Sequence, residues 1–99
     1  MSDLLGGEVR LHGYRVHGRV QGVGFRWWTR ATAVGLGLTG HVRNLSTGSV
    51  EVHVAGRLDL LGQFEVLLAE GPQFARVNSV ETIEPDGDMS RATFDVVHW

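Results

Sequence analysis

From Ser49 to Ala55 the chain alternates strictly, with Val50, Val52 and Val54 on one side and Glu51 and His53 on the other. A period of two marks a strand with one face in a core. Residues 38–44 precede it across the turn-forming segment Leu45-Ser-Thr-Gly48, so the two strands are predicted to form a hairpin. An earlier strand is predicted over residues 9–17, where Tyr14 and Val16 share a face, Val9 and Leu11 fall on the other, and Gly13 blurs the phase. Residues 75–84 and 92–99 read as two further strands separated by the turn Pro85-Asp-Gly-Asp88.

Two segments carry the helical period instead. Residues 25–36 bring Phe25, Thr29, Thr32 and Leu36 to one side, with Gly35 and Gly37 supplying a stop. Trp27 and Trp28 read here as packing residues of an amphipathic helix rather than as a stacking platform. Residues 57–70 carry the stripe Leu60, Leu61, Phe64, Leu67 and Leu68, with Asp59, Glu65 and Glu70 on the solvated side and Gly71-Pro72 ending the helix. The order is β α β β α β plus a fifth strand. It predicts an α+β fold in which an antiparallel sheet carries both helices on one face and leaves the other partly open. Right-handed crossovers place strands one and three centrally. Residues 1–8 read as a flexible tail and 9–99 as a single domain, since 99 residues leave no room for two cores.

Charge narrows the partners. Nine basic residues against eleven acidic ones give a net charge of -2, too acidic for a protein that holds nucleic acid by charge neutralisation. An anionic ligand must therefore be gripped locally. The chain has no Cys, which removes disulfides, thiolate zinc sites and a cysteine nucleophile. It also has no Lys, which removes Schiff-base chemistry and the Walker lysine. His12, His17, His41, His53 and His98 are scattered, none at the i, i+4 spacing of a helical zinc site, so no metal is expected. No apolar run approaches the length of a membrane span and the first nine residues do not resemble a signal peptide, so a cytoplasmic protein without membrane contact is expected.

Gly18-Arg-Val-Gln-Gly22-Val-Gly24 leaves the first strand and enters the first helix with three glycines in seven residues. Such a turn exposes consecutive backbone N–H groups and aims a helix N-terminus at whatever sits in it, which favours an anion, above all phosphate. Arg26 falls in the first helical turn, where a cation opposes the macrodipole unless an anion lies between them. The dinucleotide fingerprint fails because Trp27 stands where its third glycine belongs.

The stretch Val16-His-Gly-Arg-Val-Gln-Gly-Val-Gly-Phe-Arg26 resembles the acylphosphatase family's signature almost letter for letter. Leu38-Thr-Gly40, Val42-Arg-Asn44, Gly48-Ser-Val50 and Gly71-Pro72 followed by Ala75-Arg-Val77 resemble the family's pattern at the same spacing. His41 departs from it, in a position usually aromatic, as do Ser46 and Thr47 before Gly48. The resemblance implies a five-stranded ferredoxin-like α/β sandwich and hydrolysis of acyl phosphates to carboxylate and inorganic phosphate. It implies a phosphate-binding loop of Gly18, Arg19, Val20, Gln21, Gly22, Val23, Gly24 and Phe25, with Arg26 binding phosphate and Asn44 orienting water. An acyl phosphate loses its carboxylate readily, so the reaction needs neither a protonated leaving group nor a covalent intermediate. His17 has the chemistry of an acid or base, but it reads as a strand residue and the reaction does not require it. The expected partners are a small acyl phosphate and inorganic phosphate, the latter as product and competitive inhibitor, with no cofactor and a monomeric chain. Two alternatives stand beside this reading. One is a carbamoyl-phosphate-handling module of the kind found in hydrogenase-maturation carbamoyltransferases, set against by the stop at Trp99 and the lack of Cys; the other is an anion-binding module without catalysis.

Overall fold

The computed structural model describes residues 7–98 and runs β1 (Val9–Arg19), α1 (Phe25–Gly35), β2 (Thr39–Asn44), β3 (Val50–Arg57), α2 (Leu58–Glu70), β4 (Arg76–Ile83) and β5 (Phe94–Val97). The strands form one sheet in the order β4-β1-β3-β2-β5. Strands β1 and β3 lie side by side within it, as the crossover rule predicts. Residues 1–6 of the expected tail lie outside the described residues. Glu8, its last member, is already tied down, for its carbonyl accepts the Leu58 N–H at 2.8 Å.

One core lies between the sheet and the two helices. Tyr14, Val16, Val42, Val50, Val52 and Val54 from the strands meet Phe25, Ala33, Leu61, Phe64 and Leu68 from the helices, all fully or nearly fully buried. Within the predicted α1 stripe Phe25 and Thr29 are buried and Ala33 joins them. The two tryptophans part company. Trp28 packs on the core with its ring 5.4 Å from Phe25, whereas Trp27 is 60% exposed, because consecutive helical residues point about 100° apart.

The sheet is not wholly antiparallel: β5 pairs parallel with β2. The reason is topological. Strand β4 occupies one edge and β5 the opposite one, so residues 84–93 cross the sheet and the chain then returns in the direction opposite to β4. That crossing covers the face away from the helices, where the Asp86 N–H donates to His53 Nδ1 at 3.0 Å. Consequently Glu51 and His53, expected on a partly open face, are buried at 8% and 5% exposure.

Their burial is matched by an ordered set of charges. Cross-strand register places Glu81, Arg15, Glu51 and Arg43 in one row across four strands. Glu51 Oε1 accepts from Arg43 Nη2 at 3.0 Å and from His53 Nε2 at 3.0 Å, and Oε2 accepts from Arg15 Nη2 at 3.3 Å. His53 can donate through Nε2 because Nδ1 is occupied as an acceptor. His41 stacks beside it at 5.1 Å; burial, together with the neighbouring His53, lowers its affinity for a proton.

Burial alone would raise the Glu51 carboxyl, but hydrogen bonds from His53, Arg43 and Arg15 outweigh it and hold the group at about 2 against an ordinary 4.5. Because the folded value lies below the unfolded one, this stabilisation is complete above about pH 4.5 and is lost as pH falls toward 2. Glu51→Gln should lower Tm at pH 7 by about 10 °C, corresponding to roughly 2 kcal/mol. Thermal melts of the two proteins should converge as pH drops through that window; a gap that stays constant to pH 2.5 would show that Glu51 is not the acid-sensitive group.

Candidate active site

Strand β1 runs two residues past the end of its sequence alternation. An irregularity after His17 lets Gly18 pair with Val77 and Arg19 with Arg76, so only residues 20–24 separate β1 from α1. Of the eight expected loop residues, Gly18 and Arg19 therefore belong to the strand and Phe25 to the helix. Gly18 has φ 135, and a Cβ there would lie 2.1 Å from the Arg76 carbonyl oxygen, so the close approach of β4 demands glycine. Beyond it Val20 and Phe25 are buried and Val23 packs on the core, while Gly22 and Gly24 turn the backbone at φ 74 and 78. With the apolar side chains drawn down, the loop's polar surface is its backbone.

The helix that follows starts without a side-chain cap and without an acidic residue in its first turn, its N-cap being Gly24 in the left-handed region. The first amide here to find a backbone acceptor is Trp28 N–H, on the Gly24 carbonyl at 3.0 Å. The donors before it, with the positive end of the macrodipole behind them, have the chemistry to receive an anion. Arg26 adds a full charge. Its Nη1 is held by the Val97 carbonyl at 3.3 Å and by His98 Nδ1 at 3.0 Å, whereas Nε and Nη2 hydrogen-bond no described residue. Those two N–H groups share one edge of the guanidinium, the edge suited to two oxygens of a phosphoryl group.

Asn44 ends β2 at the same end of the sheet. Register sets it in a row with Val50, Val16 and Val80, on the helix side and not on the charged side. Its Oδ1 is buried, and no described group donates to it. A buried amide oxygen without a donor is an acceptor for a ligand's or water's hydrogen. The loop is fastened to the turn just after Asn44 by Gln21, whose Nε2 donates to the Leu45 carbonyl at 2.7 Å and the Ser49 carbonyl at 2.8 Å. The Gln21 side chain is thus spent on the protein, leaving its backbone N–H for a ligand.

His17 points the other way. One residue on from Val16, it lies on the charged face, where Nε2 meets Glu81 Oε1 at 2.9 Å and Nδ1 meets Ser49 Oγ at 2.8 Å. Both ring nitrogens are engaged away from Asn44 and Arg26. Periodicity did not reveal the Gln21 clamp or the hold of Val97 and His98 on Arg26, because these partners lie 24 and 71 residues or more apart in the chain.

The acylphosphatase family pattern matches residues 12–96. The chain belongs to the acylphosphatase family. It is 51% identical over 71 residues to an acylphosphatase of Aliivibrio fischeri, covering 72% of this chain and 79% of that one. With an acylphosphatase of Nocardia farcinica the identity is 46% over 90 residues, 89% of each chain. An acylphosphatase structure from Coxiella burnetii superposes with a TM-score of 0.81 at 36% identity, over 92% of this chain and 95% of that one. Membership agrees with the ferredoxin-like sandwich described above, and the matched span contains the whole loop, Arg26 and Asn44. Among the described residues no helix is long and apolar enough to cross a membrane.

A Cβ added at Gly24 would meet no atom within 4 Å, so Gly24→Ala meets strain in its backbone angle alone. Its φ of 78 should cost a side chain about 1–2 kcal/mol and lower Tm by several degrees. Relaxation of that strain moves the loop amides, so inhibition by inorganic phosphate should weaken about tenfold, corresponding to roughly 1.4 kcal/mol. A lower Tm with unchanged phosphate inhibition would place the anion elsewhere.

Proposed function

We propose that this family member hydrolyses the carboxyl–phosphate bond of acyl phosphates by direct attack of water, with the phosphoryl group held by the 20–24 loop and Arg26 and the water held by Asn44. The observation that carries this reading is the convergence at one end of the sheet of an uncapped helix N-terminus, a guanidinium with one edge unspent, and a buried Asn44 Oδ1 with no donor.

The chemistry asks for little more. In a loose transition state negative charge spreads over the three phosphoryl oxygens, and fixed N–H donors meet it without reorganising. Nε and Nη2 of Arg26 take two oxygens together, and the loop amides take the rest. Asn44 Oδ1 accepts one hydrogen of the water and turns its lone pair toward phosphorus. As the new P–O bond forms, the bond to the acyl oxygen breaks and the carboxylate leaves with its electron pair. The water's proton passes to a phosphoryl oxygen, so no side chain titrates in the cycle. Amide and guanidinium N–H groups do not ligate metals, so chelation should leave turnover unchanged. Because substrate and product share the phosphoryl end, inorganic phosphate acts as a competitive inhibitor.

Arg26→Lys separates the fork from the charge. With a point charge in place of two parallel hydrogen bonds, kcat/KM for acetyl phosphate should fall by two decades or more, from two charge-assisted bonds of roughly 1.5–3 kcal/mol each. Retention of a third of the activity would refute the fork. Asn44→Ala should lower kcat by about two decades, with phosphate inhibition changed less than about threefold, since phosphate rests on the loop and Arg26. A matching loss of phosphate affinity would move Asn44 from the water to the phosphoryl group.

A further inference from the structure

Ser49 is held through both its backbone and its side chain. Its carbonyl accepts the Gln21 amide at 2.8 Å and the Leu45 N–H at 2.8 Å, the second bond closing the turn that follows Asn44. On the charged side its hydroxyl meets His17 Nδ1 at 2.8 Å. His17 is held in turn by Glu81 of the edge strand β4, with Nε2 on Oε1 at 2.9 Å. A carboxylate only accepts, so Nε2 carries the hydrogen and Nδ1 receives the Ser49 hydroxyl. Ser49 itself is buried, at 7% exposure. Glu81, His17 and Ser49 thus make a continuous side-chain strut from the sheet edge, through β4 and β1, to the end of the turn that follows Asn44.

We propose that His17, braced by Glu81, is a positioning residue for hydrolysis: through Ser49 it fixes the 45–49 turn and so the placement of Asn44 against the phosphate loop. The proposal rests on Asn44 as the water-holding residue. The strut lies on the charged face of the sheet, opposite the face on which Asn44 stands. Its loss should therefore be read in kcat more than in the binding of phosphate, because Val20 and Phe25 keep the loop seated in the core even where the Gln21 bonds to the 45–49 turn shift. A displacement of well under 1 Å at a water-orienting group is enough to cost an order of magnitude in rate.

The test is a double-mutant cycle on the full chain, with acetyl phosphate as substrate, inorganic phosphate as inhibitor and Tm recorded for every variant. His17→Ala and Ser49→Ala should each lower kcat about tenfold while Ki for inorganic phosphate changes less than twofold. Glu81→Gln, on the exposed edge, should lower it about threefold. Ser49→Thr, which keeps the hydroxyl, should retain at least half of kcat. In an Asn44→Ala background His17→Ala should cost nothing further. The proposal is overturned if His17→Ala leaves kcat unchanged, if its effect appears in Ki, or if its full effect persists without Asn44. Should His17→Ala fail to fold, Glu81→Gln and Ser49→Thr decide between the same outcomes. Asn44→Ala with full kcat would instead refute the catalytic reading of Asn44, an outcome visible before the cycle is closed.

Discussion

A helix that begins without a cap is the constraint on which the rest of this structure depends. A Ser or Asp before α1 would satisfy one orphan amide and stabilise the fold by about 1 kcal/mol. Gly24 in the left-handed region satisfies none, and no acidic residue in the first turn compensates the macrodipole. The donors stay available to an anion, and the fold gives up that stabilisation at a place where ligand binding can replace it. The turn then needs other anchors. Val20 and Phe25 supply buried apolar ones, Gln21 supplies two hydrogen bonds to the next hairpin, and Gly18 lets β4 press against the end of β1.

Those anchors are only as firm as the sheet they reach. Strand β3 is buried on both faces from Val50 to Ala55, apolar toward the helices and charged toward the 84–93 crossing. A carboxylate placed there without partners would cost several kcal/mol. Glu51 is tolerated because two guanidiniums and an imidazole meet it, and the crossing segment supplies the amide that sets the His53 tautomer. This polar layer holds β1, β3 and β2 in register, and register decides where Asn44 stands. The far face of the sheet is therefore part of how the site is built.

Periodicity made the seven elements legible because each strand or helix needs one apolar face whatever its partners, and strands and helices repeat differently. What depends on partners was hidden. Glu51 and His53 read as a solvent-facing pair because alternation records only which residues avoid the core, and the crossing that buries them is set by a connection more than 30 residues later. The parallel pairing of β5 was hidden for the same reason. Gly18 and Arg19 read as loop because glycine weakens a strand pattern, yet the irregular pairing opposite them extends the strand. Of the proposed site, Arg26 and Asn44 are singled out by the motif alone, whereas nothing along the chain marks Gln21 as a clamp or Val97 and His98 as the hold on Arg26.

Strand parity divides the molecule's chemistry. His17, His41 and His53, imidazoles that lend themselves to acid–base work, fall on the same face as Arg15 and Glu51, where hydrogen bonds and stacking occupy them. Asn44 falls on the helix side, in line with Val16 and Val50, facing the end of the sheet where α1 begins. A slip of one residue in β2 would exchange Asn44 for Arg43 and break the ion pairs to Glu51 at the same stroke. The buried charges thus guard the register from the opposite side. A site that works through fixed dipoles requires this accuracy, because donors that do not titrate can stabilise a transition state only where they already stand.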